Sequence, residues 1–399
     1  MKRNIFITIL SGFLMLPSTM AAETDGNSGS GSPLTAHTIG FELRPAWVPP
    51  PNSYLRREYP EDPNISSTVS PHLRYSFKFS PDTKEGAFYP HTYQGIGLSY
   101  TQFFEDTDLG HPVTLYLFQG SRIASLSQRL SLDYEWNFGA SAGWKKSHPL
   151  DPYPLKPVGS NVNAYINLSF LLSYKIDRRW TFTAGVEGTH YSNGNTHLPN
   201  SGINTLGGRI GMAYRFGDDK SEMRPEIKPD FKRGMGYDLT VYGATRQRIF
   251  YEYPDSEGEY IPGSFGVVGL NFAPMYAFNR YLRAGISADF QYDESANIAK
   301  YHVPGTYDED IKFYRQKFKD RFSAGLSLHA ELTMPIFSIN VGIGRNLIAD
   351  GRDTEITYQT LALKAYIIKG AYLQAGYQLR DFHHPNNLML GVGYTFGTR

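Results

Sequence analysis

The sequence predicts an all-β fold: an outer-membrane antiparallel β-barrel protein of about sixteen strands, arranged as two tandem eight-stranded units. Three observations carry this. Apolar and polar residues alternate with period two from His37 to the C-terminus, the signature of strands with two unlike faces. Short and long connections alternate along most of the chain. No stretch beyond the first 22 residues is apolar for long enough to span a bilayer as a helix, so only closed strands could cross one. Composition agrees, because 29 Tyr, 25 Phe and 39 Gly suit strands with bends and crowded interiors.

Other classes are excluded by the same composition. The chain of 399 residues has no Cys, which removes disulfide scaffolds, zinc-thiolate sites and cysteine nucleophiles. Its 39 Lys+Arg against 38 Asp+Glu leave a formal charge of +1 and no basic field for nucleic acid. There is no phosphate loop, zinc spacing or nucleic-acid module, and no cofactor is implied.

Residues 1–22 read as a cleavable export signal. Lys2 and Arg3 precede an apolar run from Ile5 to Leu16, and Ser18 to Ala22 supply a small-residue cleavage end. The run is shorter than the ~20 residues of a spanning helix. A mature chain beginning near Glu23 follows.

In the first strand Ile39, Phe41, Leu43 and Trp47 share one face. In 131–145 Leu132, Tyr134, Trp136, Phe138 and Trp144 share another, opposite Asp133, Glu135 and Asn137. Similar segments lie near 72–80, 94–104, 113–122, 162–176, 180–192 and 204–216, and again near 236–247, 264–278, 281–292, 320–333, 336–347, 356–367, 371–380 and 388–396. Pro274 inside one of these predicts a bulge or an edge. The connections at 177–179, 279–280, 334–335 and 369–370 are tight. Those at 48–71, 145–161, 248–263 and 293–319 are long and polar, as periplasmic turns and external loops of a barrel are. A soluble β-sandwich, the alternative, would have connections of more equal length.

The last strand ends in Tyr394-Thr-Phe396-Gly, and Tyr214-Arg-Phe216-Gly closes the eighth segment 180 residues earlier. Two units follow from this: residues 23–217, a linker at 218–234, and residues 235–399. One sixteen-stranded barrel is the alternative.

Candidate chemistry sits at the external end of segment 180–192 and the start of 204–216. Counting by twos from Trp180, Phe182, Ala184 and Val186 brings His190 and Ser192 to the lipid face, and counting back from Leu206 and Ile210 brings Asn204 there. His190 and Ser192 are ~6.6 Å apart along the strand, close enough for their side chains to meet and for the imidazole to activate the hydroxyl. Gly194 permits a sharp turn after Ser192. The amides of Asn193 and Gly194, or the side chain of Asn200, are candidate oxyanion donors. A polar rim loop rich in Asn and Gly for turn reasons alone is the bland alternative.

The string His190-Tyr-Ser192-Asn193, followed by Pro199-Asn200-x-Gly202 and a strand ending in Tyr-x-Phe, resembles the lipid A 3-O-deacylase family, also called acyloxyacyl hydrolases, of bacterial outer membranes. The motif covers about 15 residues and the strand pattern of 36–216 extends the resemblance to roughly half the chain. It implies an eight-stranded barrel that cleaves an ester-linked acyl chain of lipid A with a Ser-His-acid triad facing lipid. Ser192 would be the nucleophile and His190 the general base, with Asn193, Gly194 and Asn200 supporting oxyanion or loop geometry. The partners implied are lipid A, as lipopolysaccharide, and the outer membrane itself.

The family's acid falls at position 204, where this chain has Asn. An Asn carbonyl can orient His190 but cannot stabilise an imidazolium by charge. Glu187 is no easy substitute, because its parity turns it inward. The rival expectation is a non-catalytic barrel: a channel, a binding surface or a decayed deacylase.

The second half lacks the motif; its corresponding hairpin reads Arg380-Asp-Phe-His383-His384, a loop tip rather than a metal site. Arg315, Lys317, Lys319 and Arg321 share one parity and are candidates for lipid A phosphates, or else for a solvated loop or lumen face.

Overall fold

The computed structural model describes residues 33–50, 55, 65–104, 109–152, 155–216, 219, 230–251, 258–307, 310–382 and 384–398. The segment 1–22 read as an export signal, most of the segment 218–234 read as a linker, and His383 lie outside the described residues. No helix among the described residues is long and apolar enough to cross a membrane.

The chain divides into two compact units, one built on β1–β9 and one on β10–β17. In the first, β1 (Leu34–Trp47), β2 (Ser67–Phe79), β3 (Thr92–Tyr100), β4 (Gln102–Phe103), β5 (Gly110–Ser125), β6 (Leu130–Trp144), β7 (Val162–Lys175), β8 (Trp180–Ser192) and β9 (Ile203–Arg215) form one antiparallel sheet. β3 and β4 both pair with β2 and flank the single residue Thr101, so together they act as one strand. The sheet closes because β1 pairs with both β9 and β2. The second unit is a closed barrel of β10 (Gly234–Phe250), β11 (Glu259–Ala277), β12 (Leu282–Asp293), β13 (Phe322–Thr333), β14 (Phe337–Ile348), β15 (Thr357–Tyr366), β16 (Ala371–Arg380) and β17 (His384–Gly397). Two eight-stranded barrels therefore form, and the single sixteen-stranded barrel does not. Each sheet satisfies its own edge strands by closure, which removes the reason to merge.

In both units, strand residues of one parity expose large apolar side chains. Ile39, Phe41, Leu168, Phe170, Val186 and Ile210 do so in the first barrel, and Val241, Ile286, Leu328 and Val392 in the second. This is the outward apolar band of a membrane barrel, and it inverts the burial pattern of a sandwich.

The opposite parity fills the lumen with charge. Glu42 lies between Arg44, Arg74 and Arg209, while Glu135 bridges Arg74 and Arg209 and Glu187 meets Arg44 at 3.1 Å. In the second barrel Asp238 and Glu331 share Arg283 and Lys364. Buried charges persist only when paired in this way.

Two expectations need correction. Trp144 does not join the lipid face but is buried against Phe103 and Tyr191. The register of β6 on β5 slips by one between Gly110 and Val113, and Gly143 sits at φ +104, so the parity flips at the strand end. Pro274 makes neither bulge nor edge: its rungs are missing from the β11–β12 ladder while the register stays unchanged on both sides. A missing N–H costs local pairing only. The hairpin of His383 and His384 does form a tight tip, with Asp381 and Phe382 at φ +51 and +62 and His384 opposite Arg380 on its last rung.

At one end of the first barrel the connections 126–129 and 176–179 are tight. At the other end lie the segments 48–66, 104–109, 145–161 and 193–202. Beneath those longer loops Val48, Phe103, Leu109, Trp144, Tyr165, Tyr191 and Ile203 form an aromatic-rich core that fixes the ends of β8 and β9.

Candidate active site

β8 alternates about Tyr191. That ring points inward, 5.1 Å from Trp144 and 5.4 Å from Tyr165, so strand parity forces its neighbours His190 and Ser192 outward. His190 pairs directly across from Asn204 on β9, which places the two side chains side by side.

The contacts form a chain. Ser192 Oγ and His190 Nε2 are 2.9 Å apart, and His190 Nδ1 and Asn204 Oδ1 are 2.7 Å apart. The amide oxygen only accepts, so Nδ1 carries the proton and, in the neutral ring, Nε2 is left to accept from the serine hydroxyl. That tautomer is the one a general base requires. Ser192 is 4% exposed, while Asn204 is exposed beside Leu206 on the outward face. The group therefore sits at the loop end of the outward apolar band.

The loop after Ser192 is braced from several sides. Asn200 Oδ1 accepts the Asn193 N–H at 3.1 Å, and Asn200 Nδ2 donates to Asn195. Asn193 Nδ2 donates to Ser160 Oγ, and the Gly202 N–H donates to Pro157 O. Asn193 and Asn200 are thus engaged in holding the loop. Gly194 turns the chain at φ +63, and among the described residues its N–H has no hydrogen-bond partner.

Gly202 was not among the sequence candidates for chemistry. It adopts φ +69, and a Cβ there would lie 3.1 Å from His190 Cε1 and 3.5 Å from Ser192 Cβ. Glycine both permits that backbone and leaves room for the imidazole. Glu187 points into the lumen toward Arg44, away from His190.

A second Ser-His-Asn contact set escaped the sequence reading. In β13 and β14, Ser327 Oγ is 2.8 Å from His329 Nε2, and His329 Nδ1 is 2.6 Å from Asn340 Oδ1. The available signal was the Ser-x-His spacing inside segment 320–333. This set faces the lumen, and Asp289 Oδ2 competes with the imidazole for the same serine proton. It lacks access to the lipid side.

Residues 65–213 match the family described as lipid A 3-O-deacylase (PagL), a span that contains all six candidate residues. Residues 235–398 match the one described as acyloxyacyl hydrolase, C-terminal domain. No curated protein matches the sequence. Among solved structures, the outer membrane enzyme PagL aligns with 43% of this chain and 97% of its own at 14% identity, with a TM-score of 0.30. An outer membrane channel from Pseudomonas putida F1 aligns with 94% and 99% at 10% identity and a TM-score of 0.23. Outer membrane phospholipase A from Escherichia coli aligns with 92% and 98% at 11% identity and a TM-score of 0.18.

Proposed function

Given that the chain belongs to the lipid A 3-O-deacylase and acyloxyacyl hydrolase family of bacterial outer-membrane barrels, we propose that it hydrolyses an ester-linked acyl chain of lipid A through Ser192 and His190. The observation that carries the proposal is the unbroken Ser192–His190–Asn204 contact on the lipid side of the barrel. A membrane-embedded ester would reach Ser192 by lateral diffusion along the apolar band.

In this mechanism Ser192 Oγ attacks the acyl carbonyl carbon while His190 Nε2 takes its proton. The tetrahedral oxyanion collapses with cleavage of the ester C–O bond, and His190 returns the proton to the departing sugar oxygen. Water, deprotonated by His190, then attacks the acyl-serine, and His190 returns that proton to Ser192 Oγ as its bond to the acyl carbon breaks and the fatty acid leaves. The Gly194 N–H is the backbone donor available to the oxyanion, and Asn193 and Asn200 hold the loop that aims it.

Asn204 orients the imidazole but offers no negative charge to the imidazolium formed in each step, which favours a slower enzyme than one with a carboxylate there. That same substitution is the observation that favours the second reading, a barrel that binds lipid A without turning it over. Purified full-length protein incubated with lipid A separates the two: release of free fatty acid supports hydrolysis, and unchanged lipid supports binding alone.

A further inference from the structure

In the second barrel, the outward side chains of β12 and β13 rise from Leu282, Ile286, Leu326 and Leu328 to an aromatic stack where the strands meet the 294–321 loop. Tyr292 stacks on Phe318 at 5.6 Å, and Phe318 on Phe322 at 5.5 Å. Phe318 is 67% exposed and Tyr314 61%. Such a girdle marks the level of lipid headgroups.

Cationic side chains sit in the same segment. Residues 311–322 hold five Lys or Arg and one acid, Asp320, which is buried under Tyr301 and Lys300. The even spacing read from the sequence does not place all four cations on one face. Phe318–Arg321 coil into a single helical turn, and Arg321 folds back onto Tyr292 and Gln316. Lys319 leans on Asp350, a contact that raises its ammonium further and keeps it charged. Arg315 and Lys317 remain exposed, with no side-chain partner among the described residues.

The segment is a built platform. The Tyr301 hydroxyl accepts from the Lys317 N–H at 3.2 Å and donates to Asp320, while Asn297 Nδ2 donates to the carbonyls of Asp320 and Asp350, each at 2.8 Å. Phe250, His302 and Phe313 pack against one another in the same loop region. Two other connections of this barrel are acidic in sequence: 251–258 contains Glu252, Asp255 and Glu257 without a cation, and 349–356 sets Asp350, Asp353 and Glu355 against Arg352. The whole 294–321 connection holds six Lys or Arg against five acids, three of them in Asp308-Glu309-Asp310, so its positive charge concentrates in 311–321, the stretch that carries the aromatic stack.

We infer that Arg315, Lys317, Tyr314 and Phe318 form a docking surface for the phosphorylated sugar headgroup of an outer-leaflet glycolipid, separate from the Ser192 site. Arg and Lys meet the phosphates, and the aromatic rings take the sugar faces and first acyl carbons. This inference rests on the outer-membrane location and not on catalysis.

The test is titration of the full-length protein, in neutral detergent, with lipid A carrying both phosphates and with dephosphorylated lipid A. Arg315→Glu with Lys317→Glu should weaken binding of the phosphorylated lipid on the order of tenfold or more, and Arg315→Gln with Lys317→Gln by less. The dephosphorylated lipid should bind wild type and variants alike. Hydrolysis of a neutral short-chain ester should be the same in all, so loss of the Ser192 reading would appear as no hydrolysis anywhere and leave the binding result intact. Equal affinity of wild type for the two lipids, or unchanged affinity in the charge-reversed variant, would overturn the surface.

Discussion

Ser192 and His190 stand 2.9 Å apart with the imidazole held by a group that cannot itself ionise. If the pair acts as a unit, Ser192→Ala should lower the rate of deacylation by several orders of magnitude with the barrel still folded, and His190→Ala should cost about as much. Fatty-acid release and the heat-dependent gel shift of folded barrels check both halves of that statement. Asn204→Ala should slow the reaction by loosening the ring, whereas Asn204→Glu should preserve or raise the rate by adding the missing charge; a slower Asn204→Glu enzyme would show that the amide is needed as it stands. Gly202→Ala introduces a methyl 3.1 Å from His190 Cε1 at a φ of +69. It should reduce kcat and cost about 1–2 kcal/mol of stability from the backbone alone; unchanged kcat would mean that the imidazole has room to give.

At the scale of elements, lumen charges tie β1, β2, β6, β8 and β9 together across the interior of the first barrel. Glu42 is shared by three arginines, so Glu42→Ala should destabilise the first barrel by about 3–5 kcal/mol, read as a lower temperature for its gel-shift transition. The strands themselves were legible in the sequence because a barrel wall in lipid keeps period two almost without exception, and parity alone put His190, Ser192 and Asn204 on one face. Parity failed at Trp144, where a one-residue slip and a positive-φ glycine reverse it, and neither leaves a mark in a pattern of apolar residues. The Ser327–His329–Asn340 set and the arginine–glutamate lattice were also hidden, because lumen-facing polar residues alternate regardless of whom they contact. The engagement of Asn193 by Asn200 depends on loop geometry that spacing does not specify.

Over the whole molecule, closure of each sheet on itself predicts independence. A fragment ending after Asp219 should fold in detergent and resist protease, since β1 already has both neighbours within it; folding only in the presence of residues 235–399 would contradict that expectation. The central claim is that this outer-membrane protein removes an acyl chain from lipid A by way of Ser192, and mass spectrometry of lipid A from cells producing the wild type or Ser192→Ala tests it most directly. Wild-type cells should contain lipid A lighter by one ester-linked acyl chain, and cells with Ser192→Ala should not. Identical spectra from the two, with both proteins folded in the outer membrane, would contradict the account.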